Sequence, residues 1–168
     1  MKKFLLFSML SVGALTTAVS CADDDNNPVD NVDTYSVVYD ITGNFTKNSK
    51  GIYTIYKQFN NTIPSTDVIM VYRLKETVNG TAVWQQIPRT LFLDQGELDY
   101  DFDFTRNDVE IKVGGNYDIA TTPTYLNNQT FRVVFVPAEA GRNAAVVKGD
   151  YKNVVDFYKI DDRNVPKL

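Results

Sequence analysis

In residues 96–113, GELDYDFDFTRNDVEIKV, every second side chain is apolar on either side of a short polar gap. Leu98, Tyr100, Phe102 and Phe104 fall on one parity; Asp99, Asp101 and Asp103 fall on the other. Successive side chains of a strand point to opposite faces, so this pattern calls for a strand with one dry and one wet face. Val109, Ile111 and Val113 repeat it, with Glu110 and Lys112 on the wet parity. If Thr105 to Asp108 form the loop, Phe104 lies opposite Val109, Phe102 opposite Ile111 and Tyr100 opposite Val113. All six share one face, and a slip of one residue would break the match. The expectation is a β-hairpin.

The same register sets the wet face. Asp101 lies opposite Lys112, a pair of opposite sign. Asp103 lies opposite Glu110, a pair of like sign that costs stability unless something neutralises it. Arg106, water and a bound cation are the candidates. Two carboxylates about 5 Å apart are a start to a calcium site, so Asp101, Asp103 and Glu110 are candidate Ca²⁺ ligands. An EF-hand loop is not expected. Asp99, Asp101, Asp103 and Glu110 match its liganding positions, but Phe104 stands where the sharp turn needs glycine and Arg106 where an aliphatic residue is usual. The competing reading is a solvated acidic face that protects an edge.

The remaining pattern is also that of strands. YSVVYDI (35–41) alternates Tyr35, Val37, Tyr39 and Ile41 against Ser36, Val38 and Asp40. IYTIYKQF (52–59) is rich in β-branched and aromatic residues. VIMVYRL (68–74) is nearly continuous in apolar character, as expected of a central strand covered on both sides. Asn79-Gly80 predicts a type I′ hairpin turn, which needs positive φ at both central residues. It joins VIMVYRLKET to TAVWQQI, and Pro88 ends that run or marks an edge. TLFL (90–93) is a short strand or its continuation. After VEIKV come a Gly114-Gly115 turn and YDIA, then the strand FRVVFV (131–136), stopped at Pro137. In DYKNVVDFYKI, Tyr151, Val154, Val155 and Tyr158 share one helical face and Asp150 is placed to cap it. The expected fold is all-β: an antiparallel β-sandwich of roughly eight or nine strands with one short C-terminal helix at about 150–160.

The first residues, MKKFLLFSMLSVGALTTAVSC, have the parts of a secretion signal. Lys2 and Lys3 are the basic region, and Phe4 to Leu15 an apolar run too short for a lasting membrane helix. The stretch AVSC resembles a bacterial lipobox, with Ala18 where Leu is usual, and implies lipid on Cys21. Cys21 is the only cysteine, so no disulfide is available, and a thioether would dispose of a thiol exposed to oxidation. Buried acyl chains contribute about 0.8 kcal/mol per CH₂, enough together for firm anchoring. Asp23, Asp24 and Asp25 follow at once and resemble the acidic export signal of Bacteroidetes surface lipoproteins; a plain soluble spacer is the alternative. The expected organisation is a signal peptide at 1–20, a flexible acidic tether at 21–33 and a sandwich domain at 34–168. The expected address is the outer membrane, facing outward, with a periplasm-facing lipoprotein as the alternative.

Composition limits the chemistry. Without Lys2 and Lys3, 15 basic and 21 acidic residues leave a net charge of −6, which argues against nucleic acid as a partner. There is no histidine, which removes Ser-His and Cys-His nucleophile pairs and the usual zinc sites. No glycine-rich phosphate loop occurs. The expectation is therefore no enzyme and no catalytic residue, with no cofactor unless calcium. Trp84 belongs in the core or at its edge, or serves as a sugar-stacking platform. Four N-x-T sequences begin at Asn44, Asn60, Asn79 and Asn128, and read as turn-forming Asn beside strand-forming Thr.

DVIMVYRL, VWQQIPRTLFL, GELDYDFDFTRNDVEI and NNQTFRVVFVP resemble segments of small lipoproteins from Flavobacteria and related Bacteroidetes. Some of those carry a collagen-like linker after the lipid cysteine, whereas this chain has only its Asp/Asn tether. The resemblance implies lipidation and an all-β domain, and no activity or functional residue. The sequence thus points to a lipid-anchored envelope protein with a non-catalytic binding or structural domain. A calcium-binding adhesion module and a carbohydrate-binding accessory protein are the alternatives, with a protein or glycan as partner.

Overall fold

The structure is a computed structural model that describes residues 37–138 and 150–168. The described residues form two antiparallel sheets and one short helix. The first sheet holds β1 (Val37–Gly43), β9 (Gln129–Val136), β4 (Val68–Val78) and β5 (Thr81–Ile87), in that order. The second holds β2 (Thr46–Lys47), β3 (Tyr53–Gln58), β8 (Asp108–Gly115), β7 (Gly96–Phe104) and β6 (Arg89–Leu93). The helix, α1, spans Tyr151–Tyr158.

Alternation explains how the layers stack. In β9, Phe131, Val133 and Phe135 pack with Ile41, Val71, Leu98, Tyr100 and Ile111 between the sheets. The other parity, Val134 and Val136, packs with Val38, Tyr72, Val154 and Tyr158 against α1. The first sheet is therefore covered on both faces, and β4 and β9 are its central strands. That is why VIMVYRL and FRVVFV read as continuous apolar runs. It also corrects the simple alternation expected of β1. Val37 is exposed and Val38 buried, because the face expected to be polar is the one α1 covers.

Local chemistry sets the turns. Asn79 and Gly80 take φ of 50° and 79°, the positive values a type I′ turn requires. Asn128, at φ 49°, turns the chain into β9. Each of these asparagines begins an N-x-T sequence whose Thr, Thr81 or Thr130, lies in the following strand. Asp150 accepts a hydrogen bond from the Lys152 amide and caps α1, while Lys159 ends it in a left-handed conformation. Two local expectations are corrected. Gly114 and Gly115 do not turn; they continue β8 opposite Asp99 and Leu98. A Cβ on Gly115 would stand 2.6 Å from the Glu97 carbonyl oxygen, so glycine serves close approach there. Within YDIA, Ile119 begins a 3₁₀ turn (Ile119–Thr121), capped by Asp118.

One buried cation fastens the outer layer. Arg132 in β9 is 8% exposed. It makes a two-pronged bond to Asp40 of β1, at 2.7 and 2.9 Å, and donates to the Tyr151 hydroxyl at 2.6 Å. Tyr151 in turn donates to Asp162 at 2.9 Å. The guanidinium also lies 4.3 Å from the Trp84 ring centroid. Residues 166–168 then run beside β1: the Asp40 amide donates to the Pro166 carbonyl and the Leu168 amide to the Asp40 carbonyl. Removing one partner of a buried pair leaves an uncompensated charge. Asp40→Ala should therefore cost about 3–5 kcal/mol in urea unfolding. Arg132→Met, which removes the charge instead, should cost less. Equal losses would mean that packing, not charge, holds this layer.

Candidate functional site

The acidic hairpin has the register its alternation demands. Phe104 lies opposite Val109, Phe102 opposite Ile111, Tyr100 opposite Val113, Asp101 opposite Lys112 and Asp103 opposite Glu110. The crowded pair Asp103/Glu110 is relieved by Lys112. Its ammonium is bonded to Asp103 and lies 3.8 Å from Glu110. Arg106 plays no part there; its Nε donates to the Ile63 carbonyl at 2.9 Å. The hydrogen bond to Asp103 holds the Lys112 ammonium above its ordinary value, with smaller help from the charges of Glu110 and Asp101. Among the described residues, no three acidic, cysteine or histidine side chains are grouped to hold a metal. A cation bound by Asp101, Asp103 and Glu110 would have to displace Lys112. Lys112→Gln should lower stability by up to about 1 kcal/mol at low ionic strength, and the loss should shrink in high salt as the repulsion is screened. A loss that salt leaves unchanged would point to packing by the lysine stem instead.

The outer face of the second sheet is otherwise acidic and open. Its two exposed aromatics, Tyr56 (57% exposed) on β3 and Phe92 (80%) on β6, are separated by β8 and β7. They form no continuous platform.

A better candidate lies on the first sheet. β5 is an edge strand that pairs only with β4 among the described residues. A groove of about 720 Å³ runs along it, lined by Lys75, Trp84, Gln85, Gln86, Arg89 and Asp150 among others. Lys75 is there because the β4–β5 register shifts between Leu74 and Glu76. Trp84 is half-buried: it packs with the α1 layer and under Arg132, yet it also lines the groove. Among the described residues, β5 and β6 are edge strands joined through Pro88.

The inter-sheet core ends in a polar group. Arg73 of β4 is 7% exposed, and its Nε donates to Gln129 Oε1 at 3.0 Å. Its guanidinium lies 4.9 Å from the Tyr100 ring centroid and 5.8 Å from that of Tyr125. Gln129 Nε2 donates to the carbonyls of Thr124 and Asn127, which aims its oxygen at Arg73. The Tyr100 hydroxyl donates to the Tyr125 carbonyl at 2.7 Å.

Sequence reasoning did not single out Arg73 or Arg132. The available signal was a charge inside an otherwise apolar strand, in VIMVYRL and FRVVFV. Cys21, Asp23, Asp24 and Asp25, with the signal peptide and tether, lie outside the described residues. No protein-family model, curated protein or solved structure matches the chain.

Burial pushes the Tyr100 hydroxyl up to about 12, although Arg73 pulls the other way. Burial also raises Tyr72 and Tyr151. An unfolded phenol titrates near 10. These groups contribute their stability in full below about pH 10, and it is lost as pH rises through the folded values. Stability should thus fall between about pH 10 and 12, with tyrosinate absorbance rising as the folded signal disappears. Full tyrosinate formation in a still-folded chain would contradict this.

Proposed function

We propose that this chain is a surface lipoprotein of a bacterial envelope, anchored in the outer membrane by lipid on Cys21. Its sandwich domain binds a partner and does not transform one. The observation that carries the binding part is the groove along β5. Its lining combines one indole with amide side chains and a few charges, which suits a polar ligand held by hydrogen bonds and ring contact. The anchoring part rests on the Lys2-Lys3 start, the apolar run, AVSC and the acids after Cys21. The absence of histidine and of a second cysteine supports a non-catalytic role.

A glycan is the first ligand class to try, because Trp84, Gln85 and Gln86 share the groove. Calcium-dependent adhesion through Asp101, Asp103 and Glu110 has less support, since Lys112 already neutralises that pair.

The address and the groove are tested separately. A Cys21→Ala variant should leave the membrane fraction; continued partition with membranes removes the anchor. Protease added to intact cells should degrade the domain, and full protection would place it on the periplasmic side. Labelled protein on glycan and peptide arrays tests the groove. Gln86→Trp, which fills it, should weaken any hit at least tenfold at unchanged Tm. An unchanged hit would place binding elsewhere.

A further inference from the structure

The edges of the two sheets are protected unequally. An edge strand presents a row of unpaired N–H and C=O groups, and proteins blunt it with short strands, charges, proline or a covering segment. β2 is only two residues long, and β6 begins with Arg89 directly after Pro88. β1 is covered by the chain's own C-terminal segment. The Asp40 amide donates to the Pro166 carbonyl and the Leu168 amide to the Asp40 carbonyl, at 2.9 and 3.0 Å. Val165 packs on the helix side of the sheet and Leu168 between the sheets, so this segment rounds the β1 edge. β5 has none of these devices. Its sequence, TAVWQQI, holds no charge and no proline, and the irregularity in its pairing falls at Lys75 on β4. Among the described residues, the backbone of Thr81–Ile87 pairs with β4 alone.

The groove belongs to that edge. Its lining takes in every residue from 83 to 89 without a break. Neighbouring side chains of a strand point to opposite faces, so a lining that skips neither parity follows the free edge itself. The stretch from Val83 to Ile87 runs for roughly 17 Å at the rise of a strand. Backbone donors and acceptors repeating along that length are matched by another extended chain, not by a sugar ring. Of the charges in the lining, Lys75 is bonded to Glu76 and Asp150 caps α1. Arg89 stands exposed at the end of the run and, among the described residues, has no carboxylate partner. One end of the edge therefore carries an uncompensated positive charge.

We propose that β5 is a docking edge, to which an extended peptide segment of another protein, acidic at one end, adds as a further strand of the first sheet. This rests on the reading of the groove along β5 as the binding face. The backbone of β5 holds the segment. Trp84 and Gln86 on one face, and Gln85 on the other, meet its alternate side chains. Arg89 takes the acidic end and sets its direction.

Trp84, the single tryptophan, lines the groove and reports on it. The full-length protein is screened against a positional library of acetylated hexapeptides, and the best sequence is titrated while Trp84 emission is followed. Hits should favour Asp or Glu at one end, and Arg89→Gln should remove that preference. The best peptide is then N-methylated at alternate amides, in each of the two possible frames. The frame whose N–H groups face β5 should lose about tenfold or more in affinity, and the other frame should bind as before. Hydrogen exchange follows the β5 amides that point away from β4: fast in the free protein, slow once peptide is added. Binding that neither frame of methylation weakens would overturn strand addition. So would amides already slow in the free monomer, because the edge is then paired within the chain. Amides slowed only by raising protein concentration, with a dimer in sedimentation, would make the occupant a second copy and overturn the peptide. A glycan hit lost in Gln86→Trp, with no hexapeptide response, would overturn the strand and leave the groove as a binding face. Silence toward both libraries with fast β5 amides would overturn both.

Discussion

Covering the first sheet on both faces sets the terms for every polar group on its central strands. In β9 and in the Ile69–Leu74 part of β4 neither side-chain parity meets bulk water freely, so a charge there needs a partner inside the protein. Arg132 has one on the helix side. Its bonds reach Asp40 in β1, Tyr151 in α1 and, through Tyr151, Asp162 in the C-terminal segment. Strand β1 and the C-terminal region, far apart in the chain, meet at one guanidinium. The apolar contacts of Val38, Tyr72, Val134 and Val154 bury the layer, and the guanidinium fixes its geometry. The fork to Asp40 ties β9 to β1, and the Tyr151 hydroxyl, held between Arg132 and Asp162, ties α1 to that pair.

Much of this fold was legible because strand alternation is strict. The hairpin of β7 and β8 could be paired residue by residue from Leu98, Tyr100, Phe102, Phe104 and the three apolar residues of VEIKV. Asn79-Gly80 and the helical face of Tyr151, Val154, Val155 and Tyr158 were equally direct, since each rests on local geometry. What escaped depends on who sits beside whom in space. Lys112 reaches diagonally to Asp103, a contact a directly opposed register does not display. Gly114-Gly115 looks like a turn in isolation, and only the Glu97 carbonyl above it explains why the glycine stays in a strand. The burial of Val38 follows from a helix more than a hundred residues later.

The candidate site was less legible still. Its residues come from β4, β5, β6 and the N-terminal cap of α1, and none belongs to a recognisable motif. Trp84 was noticed for its size, but its double role, under Arg132 on one side and in the groove on the other, needs the helix layer in place. Arg73 and Arg132 are both single charges in apolar runs. Arg132 closes a network on the helix side, and Arg73 stands at the end of the inter-sheet core. The sequence around the two is too alike to separate them.

The antiparallel partnership of β1 with β9 has a consequence for the order of assembly. Val37 pairs with Phe135 and Gly43 with Gln129, so the first described strand must wait for the last. The hairpins β4–β5 and β7–β8 can form from neighbouring residues, whereas the first sheet closes only when most of the chain is available. Loop closure over such distances is slow, and topologies of this kind fold on millisecond to second timescales. A chain that cannot seal its main sheet early remains threadable for longer. Under the proposed export route, that delay is an advantage written into the strand order.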